Sequence, residues 1–250
     1  MNNITKTIVL NEQTNKSIKI YNMGKRYRFL WALRNISLEI EKNTISGLVG
    51  SNGAGKSTLL NVLGTIISPT TGFIEIFGKD IKKNTENIRS NMVLFSYHSF
   101  LYDELTGYEN LLFWSKLYDL GKNLMINDLQ EYILSKAKDF GVENWLERPV
   151  KELSTGMRKK VDFLRILLIK PKLILLDEPF SGMDPKNISS FVDELLKLKD
   201  KSTIIIASHN LDLVSSLCKE VFVLKKGKLI QNLNRENLSS KILRTIILDS

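Results

Sequence analysis

Cysteine is almost absent from this 250-residue chain. Cys218 is the only one, which excludes an intrachain disulfide and cannot by itself make a zinc site. It lies in Leu217-Cys218-Lys219, near the end of an expected helix, and reads as a small packing residue. Histidine is nearly as scarce, with His98 and His209 alone, so a histidine at a strand end is informative. Long apolar runs are missing: nothing approaches the roughly 18 residues that span a bilayer. Even Leu173 to Leu176 is bounded by Lys172 and Asp177, and Ile8-Val9-Leu10 is too short for a secretory leader. The expectation is a soluble cytoplasmic protein whose work at a membrane goes through a partner chain. No internal repeat, low-complexity tract or sustained heptad is visible, which leaves no coiled-coil arm.

What is there is an ordinary globular composition, 43% apolar and 25% charged, which argues against disorder and fibrous structure. The formal charge of +9 suits an anionic partner such as nucleotide, acidic lipid or nucleic acid. Solvated lysines on helix faces account for the same excess.

Residues 1–17 are polar and weakly patterned and read as a loosely attached arm. Ile18, Ile20 and then Ile36, Leu38, Ile40 alternate as half-buried strands do. Ile45 to Val49 is a short apolar run ending in a Gly-rich turn, and helical spacing follows from Lys56 to Ile67, stopped by Pro69 and Gly72. Phe73 to Phe77 predicts a strand, with Gly78-Lys79-Asp80 as its turn. The stretch from about 106 to 147 predicts helix throughout, and a further helix runs from Gly156 to about Ile169. Strand Leu173–Leu176, a helix from Lys186 to Leu198, strand Thr203–Ala207, a helix from Asn210 and strand Val221–Leu224 complete the alternation. Strands alternating with helices predict an α/β fold with a mainly parallel sheet, interrupted by an inserted helical lobe.

Gly50-Ser51-Asn52-Gly53-Ala54-Gly55-Lys56-Ser57 satisfies the phosphate-loop pattern between a predicted strand and a predicted helix, with Thr58 next in line. Its glycines let backbone N–H groups wrap a β-phosphate, and the helix N-terminus adds its dipole. Lys56 is placed to reach the β- and γ-phosphates and the Ser57 hydroxyl to bind Mg²⁺. A phosphate loop alone says only nucleotide. Downstream, Leu173 to Leu176 ends in Asp177-Glu178-Pro179, an apolar strand delivering two carboxylates to a sheet edge. There Asp177 can hold Mg²⁺ and Glu178 can orient and deprotonate an attacking water. Taken alone, the pair also fits a strand capped by acidic residues before a proline turn. Thr203 to Ser208 brings His209 to the same kind of edge, where ligands bind in open α/β sheets.

From about 18 to 230 the sequence resembles an ABC transporter ATP-binding subunit. Leu153-Ser154-Thr155-Gly156-Met157-Arg158 is similar to the family's signature segment. The resemblance implies that Ser154 and Gly156 bind the γ-phosphate of ATP held by an opposing subunit. It further makes Ser181-Gly182-Met183-Asp184 a D-loop and His209 a switch histidine. Tyr27, 23 residues before Gly50 (50 − 27), matches the aromatic that stacks on adenine, with Phe29 as the fallback. The implied fold is a P-loop NTPase core with a small antiparallel β subdomain and an inserted α-helical lobe. Boundaries follow: arm 1–17, ATP-binding domain 18–240, its core 18–95 and 156–240, its lobe about 96–155, and a tail 241–250. Implied cofactors are ATP and Mg²⁺. Implied partners are a second copy or a paralogous cassette in a head-to-tail dimer, and an integral-membrane permease; nucleic acid is not expected.

Two departures stand out. Met157 replaces the Gln of many signatures, in a form that resembles exporter-type members, and Phe100 to Tyr118 resembles the helical lobe of haem, drug, sodium and polysaccharide exporter subunits. The Q-loop region Leu94 to Tyr102 holds no Gln, the only glutamines being Gln13, Gln130 and Gln231. Tyr97 or His98 falls at the Gln position, and His98 is the candidate beside Mg²⁺. Asn43, in place of the usual Gly, reads as a turn change. Tyr108, Phe113, Trp114 and Tyr118 either line a groove for a permease helix or pack the lobe's own core. The alternative function is a soluble ABC-fold assembly or nucleic-acid-associated ATPase.

Overall fold

The computed structural model describes residues 15–96, 99–120 and 126–249. It opens with two long strands, β1 (Lys16–Tyr27) and β2 (Leu30–Glu41), whose alternating residues Ile18, Ile20, Ile36 and Ile40 are buried. Lys16 and Ser17, at the end of the predicted arm, already belong to β1. Then come β3 (Ile45–Val49), the glycine-rich loop and α1 (Lys56–Leu63). The helix predicted to Ile67 stops four residues earlier. Gly64 caps it, Thr65 turns to φ 57°, and Ile66 is left 56% exposed. Next are β4 (Thr71–Ile76), β5 (Lys79–Asp80), α2 (Thr85–Arg89) and β6 (Met92–Phe95). Phe77, predicted in the strand, instead sits in the turn with φ 52°.

The predicted continuous helix over 106–147 is divided. The capping box of Thr106 and Glu109 starts α3 (Gly107–Leu117), which ends before Asp119 at φ 57°. After it, α4 (Ile126–Phe140) ends at Gly141 with φ 68°, and a short 3-10 turn follows over Glu143–Trp145. The periodic apolar residues made one helix of two because both stripes face the same cluster, through Leu111 from α3 and Leu129, Ile133 and Ala137 from α4.

The remainder alternates as predicted: α5 (Thr155–Ile169), β7 (Leu173–Asp177), α6 (Pro185–Leu198), β8 (Thr203–Ala207), α7 (Leu211–Leu217), β9 (Glu220–Lys225), β10 (Lys228–Asn234) and α8 (Ser240–Asp249). One sheet runs β10-β9-β3-β8-β7-β6, parallel except for β10; the other is antiparallel, in the order β2-β1-β4-β5. Strands β3, β7 and β8 are buried along their whole length, as a sheet covered on both faces requires. Their side chains alternate between two cores. Ile174, Leu176, Ile204 and Ile206 pack towards the helical lobe and α6, while Leu173, Leu175, Ile205 and Ala207 pack towards α1 and the β subdomain. In the first core the Phe163 and Phe191 rings stack with centroids 3.5 Å apart. Burying side chains of this size contributes roughly 1.5–3 kcal/mol each.

Candidate nucleotide and catalytic site

The strand order sets the site. β8 lies between β3 and β7, with Leu48 paired to Ala207 and Asp177 paired to Ala207 from the other side. The residues that follow these strands, Gly50, Glu178 and His209, therefore emerge side by side at the C-terminal edge. The loop after β3 takes its shape from glycine. Gly50 has φ 152°, and a Cβ there would stand 2.2 Å from the Leu224 carbonyl oxygen. Gly55 caps α1 at φ 107°, where a Cβ would meet Leu33 at 2.7 Å. Larger residues at these positions would break both the turn and its fit against the neighbouring chain.

The resulting cavity, about 240 Å³, is lined by Ala32, Asn52, Gly53, Ala54, Gly55, Lys56, Ser57, Thr58, Asp177 and Glu178. Lys56 Nζ donates back to the carbonyls of Gly50 at 2.8 Å and Ser51 at 3.2 Å. Burial lowers the Lys56 pKa, and the charges of Glu178 and Asp177 oppose that fall. The Asp177 carboxyl moves the other way: burial raises its pKa against a hydrogen bond from Ser57. Asp177 Oδ1 is buried and has no hydrogen-bond partner. An orphaned carboxylate oxygen beside a serine hydroxyl at the start of a phosphate-loop helix fits a Mg²⁺ that takes its other ligands from phosphate and water. Among the described residues no cluster of three His, Cys, Asp or Glu offers an all-protein metal cage.

Glu178 sits in the left-handed region at φ 49°, an arrangement costing roughly 1–3 kcal/mol for a residue other than glycine. Its N–H donates to Ala207 O at 2.8 Å. Its Oε2 meets His209 Nδ1 at 2.7 Å, with Ser208 Oγ and the His209 N–H each donating at 3.4 Å. A carboxylate so held beside the cavity has the chemistry to accept a proton from water.

The other predicted residues lie elsewhere. Ser154 is exposed and caps α5, its Oγ accepting from Met157 N at 3.3 Å; Gly156 has open space where a side chain would stand. Asp184 is exposed and caps α6 through Asn187 N at 3.0 Å, a bond that lowers its pKa. Neither segment lines the phosphate-loop cavity. Tyr27 ends β1 46% exposed with Lys25 Nζ 5.1 Å from its ring centre, and Phe29 is 99% exposed. Tyr97 and His98 lie outside the described residues. Of the lobe aromatics, Trp114 and Tyr118 line a second cavity of about 420 Å³ with Ile66, Arg89, Leu94 and Phe100, whereas Tyr108 and Phe113 do not. The sequence reading missed Ala32, which lines the cavity, and Lys159, which grips the backbone of Glu178 and Ser181. No local pattern marks either one.

A parallel sheet with a glycine-rich loop feeding α1 and carboxylates on the adjacent strand end defines a P-loop nucleotide hydrolase. A family model described as ABC transporter matches residues 33–181. The ABC transporter ATP-binding protein NatA of Bacillus subtilis is 35% identical over 201 residues, 80% of each chain. The bacitracin transport ATP-binding protein BcrA of Bacillus licheniformis is 30% identical over 227 residues, 90% of this chain and 72% of that one. A dimeric ATP-binding cassette in a post-hydrolysis state, bound to ADP and Pi, shares the fold at a TM-score of 0.77 and 24% identity, covering 87% of this chain and 98% of the other. The chain belongs to the ABC transporter family, as an ATP-binding and ATP-hydrolysing subunit.

Proposed function

We propose that the chain is the motor of an exporter, closing on Mg-ATP as a head-to-tail dimer and reopening after hydrolysis. The observation that carries this is the division of phosphate-binding features between two places. The phosphate loop, Asp177 and the Glu178–His209 pair share one edge, while Ser154, exposed, and Gly156, half-buried with open space beside its Cα, lie outside that cavity. A second copy turned head to tail would bring its Ser154, Gly156 and the positive end of its α5 to the γ-phosphate. In this reading the backbone of Gly50 to Gly55 cradles the β-phosphate, with Ser51, Asn52, Gly53 and Ala54 in the loop, and Lys56 leaves the loop carbonyls for the β- and γ-oxygens. Tyr27 stacks on adenine, Thr58 hydrogen-bonds phosphate and Asp184 faces the interface. Ser57 and Asp177 would hold Mg²⁺, which supplies charge neutralisation at the phosphates. Glu178 takes the proton of the attacking water, and His209 orients it through Nδ1. His98 remains a proposed neighbour of the metal.

Among the described residues no helix is long and apolar enough to cross a membrane. In this reading a permease supplies the membrane path. We assign its docking site to the 420 Å³ cavity, where Ile66, Leu94, Phe100, Trp114 and Leu117 offer an apolar floor between the core and the lobe. In this reading the cassette sits on the cytoplasmic face of a permease. The resemblance to the bacitracin transport subunit supports export.

The test is the solution mass of Glu178→Gln with and without Mg-ATP. The variant should move from about 29 to about 57 kDa (2 × 28.6) only with Mg-ATP, and Ser154→Arg should abolish the shift. A mass that stays at about 29 kDa while ATP is bound overturns the two-copy site.

A further inference from the structure

Lys159 lies on α5, five residues after Ser154 (159 − 154), and is buried to 4% exposure. A buried ammonium is tolerated only where its donors are matched. Here Nζ donates to the carbonyl oxygen of Ser181 at 2.5 Å and to that of Glu178 at 3.2 Å. Burial lowers its pKa, and the Glu178 charge opposes the fall. These carbonyls bracket the loop after β7, where Glu178 holds its left-handed φ of 49° and Ser181-Gly182-Met183-Asp184 begins. The same loop also runs close to the start of α5: a Cβ added at Gly182 would stand 3.9 Å from Thr155 Cγ2.

We infer that Lys159 is a positioning residue that ties the signature end of α5 to the water-activating carboxylate of the same chain. This rests on the roles given above to Glu178, Ser154 and Gly156. Five residues of helix span about 7.5 Å. The end of α5 that would meet the nucleotide held by a second copy is therefore joined rigidly to the loop holding this copy's own Glu178. When the α5 terminus engages that phosphate, Lys159 carries the displacement to the Glu178 backbone. Occupancy of one site thereby aligns the base in the other, and hydrolysis becomes positively cooperative in ATP.

The experiment compares Lys159→Met and Lys159→Arg in the full chain, measuring turnover across ATP concentration at fixed Mg²⁺, equilibrium ATP binding and thermal unfolding. A misplacement of about 1 Å can cost on the order of a hundredfold in rate. Lys159→Met is therefore expected to lose about tenfold to a hundredfold in kcat with ATP affinity within about twofold, and its Hill coefficient should fall towards one. Lys159→Arg, which still donates, should recover most of both. If Lys159→Met fails to fold, Lys159→Gln takes its place with the same expectation. An unchanged kcat and Hill coefficient overturns the inference, as does a kcat loss matched by an equal loss of ATP affinity that Arg does not rescue. Glu178→Gln run alongside separates the two layers. Wild-type turnover in that variant removes the base assignment and the inference with it. An inactive Glu178→Gln beside a fully active Lys159→Met removes the inference alone.

Discussion

Asp177→Asn should make the nucleotide-free chain more stable while abolishing its Mg²⁺-dependent turnover. The carboxylate ends a fully buried strand, and its Oδ1 has no hydrogen-bond partner. A buried polar atom left unsatisfied costs roughly 1–3 kcal/mol. Asn keeps an oxygen that can accept from Ser57 and puts a neutral amide nitrogen in the orphaned position. The gain is therefore the difference between a charged and a neutral unsatisfied group, and Lys56 keeps Glu178, the stronger of its two carboxylate neighbours. The Asp177 site borders an open cavity, so the lower end of the range applies: a gain of about 1 kcal/mol, which raises Tm by roughly 2–4 °C in a domain of this size. The sign with pH follows from the raised pKa of Asp177. A carboxyl held above its unfolded value destabilises the fold wherever it is ionised, so the penalty is full at neutral pH and is relieved as pH falls through the folded pKa. The variant's advantage should therefore shrink on acidification. Ligand reverses the ranking: at a hundred times Kd, binding adds about 2.7 kcal/mol to the wild type. The assay is thermal unfolding of both proteins without nucleotide, with ATP and EDTA, and with Mg-ATP, at neutral and mildly acidic pH. A variant no more stable than wild type without nucleotide would refute the reasoning about the orphaned oxygen. One that keeps the Mg²⁺-dependent stabilisation would refute the metal assignment.

His209→Ala removes the 2.7 Å contact to Glu178 Oε2 and is expected to lower kcat by about 10²–10⁴-fold with ATP affinity preserved. A loss confined to KM would show that the imidazole serves binding. Cys218 is fully buried, and burial pushes its thiol up to about 12, so iodoacetamide at pH 8 should leave the native chain unmodified and react only after unfolding. Equal native and unfolded labelling, followed by mass spectrometry, would contradict the packing role.

The sequence by itself determined the elements whose signal is local. Gly50 to Ser57 declares a phosphate loop because its turn requires glycines at particular φ values. Thr203–Ala207 is legible as a buried strand because both of its faces are covered, which leaves an unbroken apolar run. Periodicity failed where apolar spacing carried on past the end of a helix. Ile66 kept the helical spacing of α1 but lies beyond its cap, and the stripes of α3 and α4 meet one core from two separate helices. The sequence marked Glu178 and His209 separately, each at the end of an apolar strand. Their 2.7 Å contact exists because β8 pairs with β7 in one particular register. Lys159 had no sequence signature at all, since a lysine on a helix is ordinarily a solvated charge. Its burial against two backbone carbonyls arises only when α5 packs across the loop after β7, and such non-local packing is decided by the tertiary structure alone.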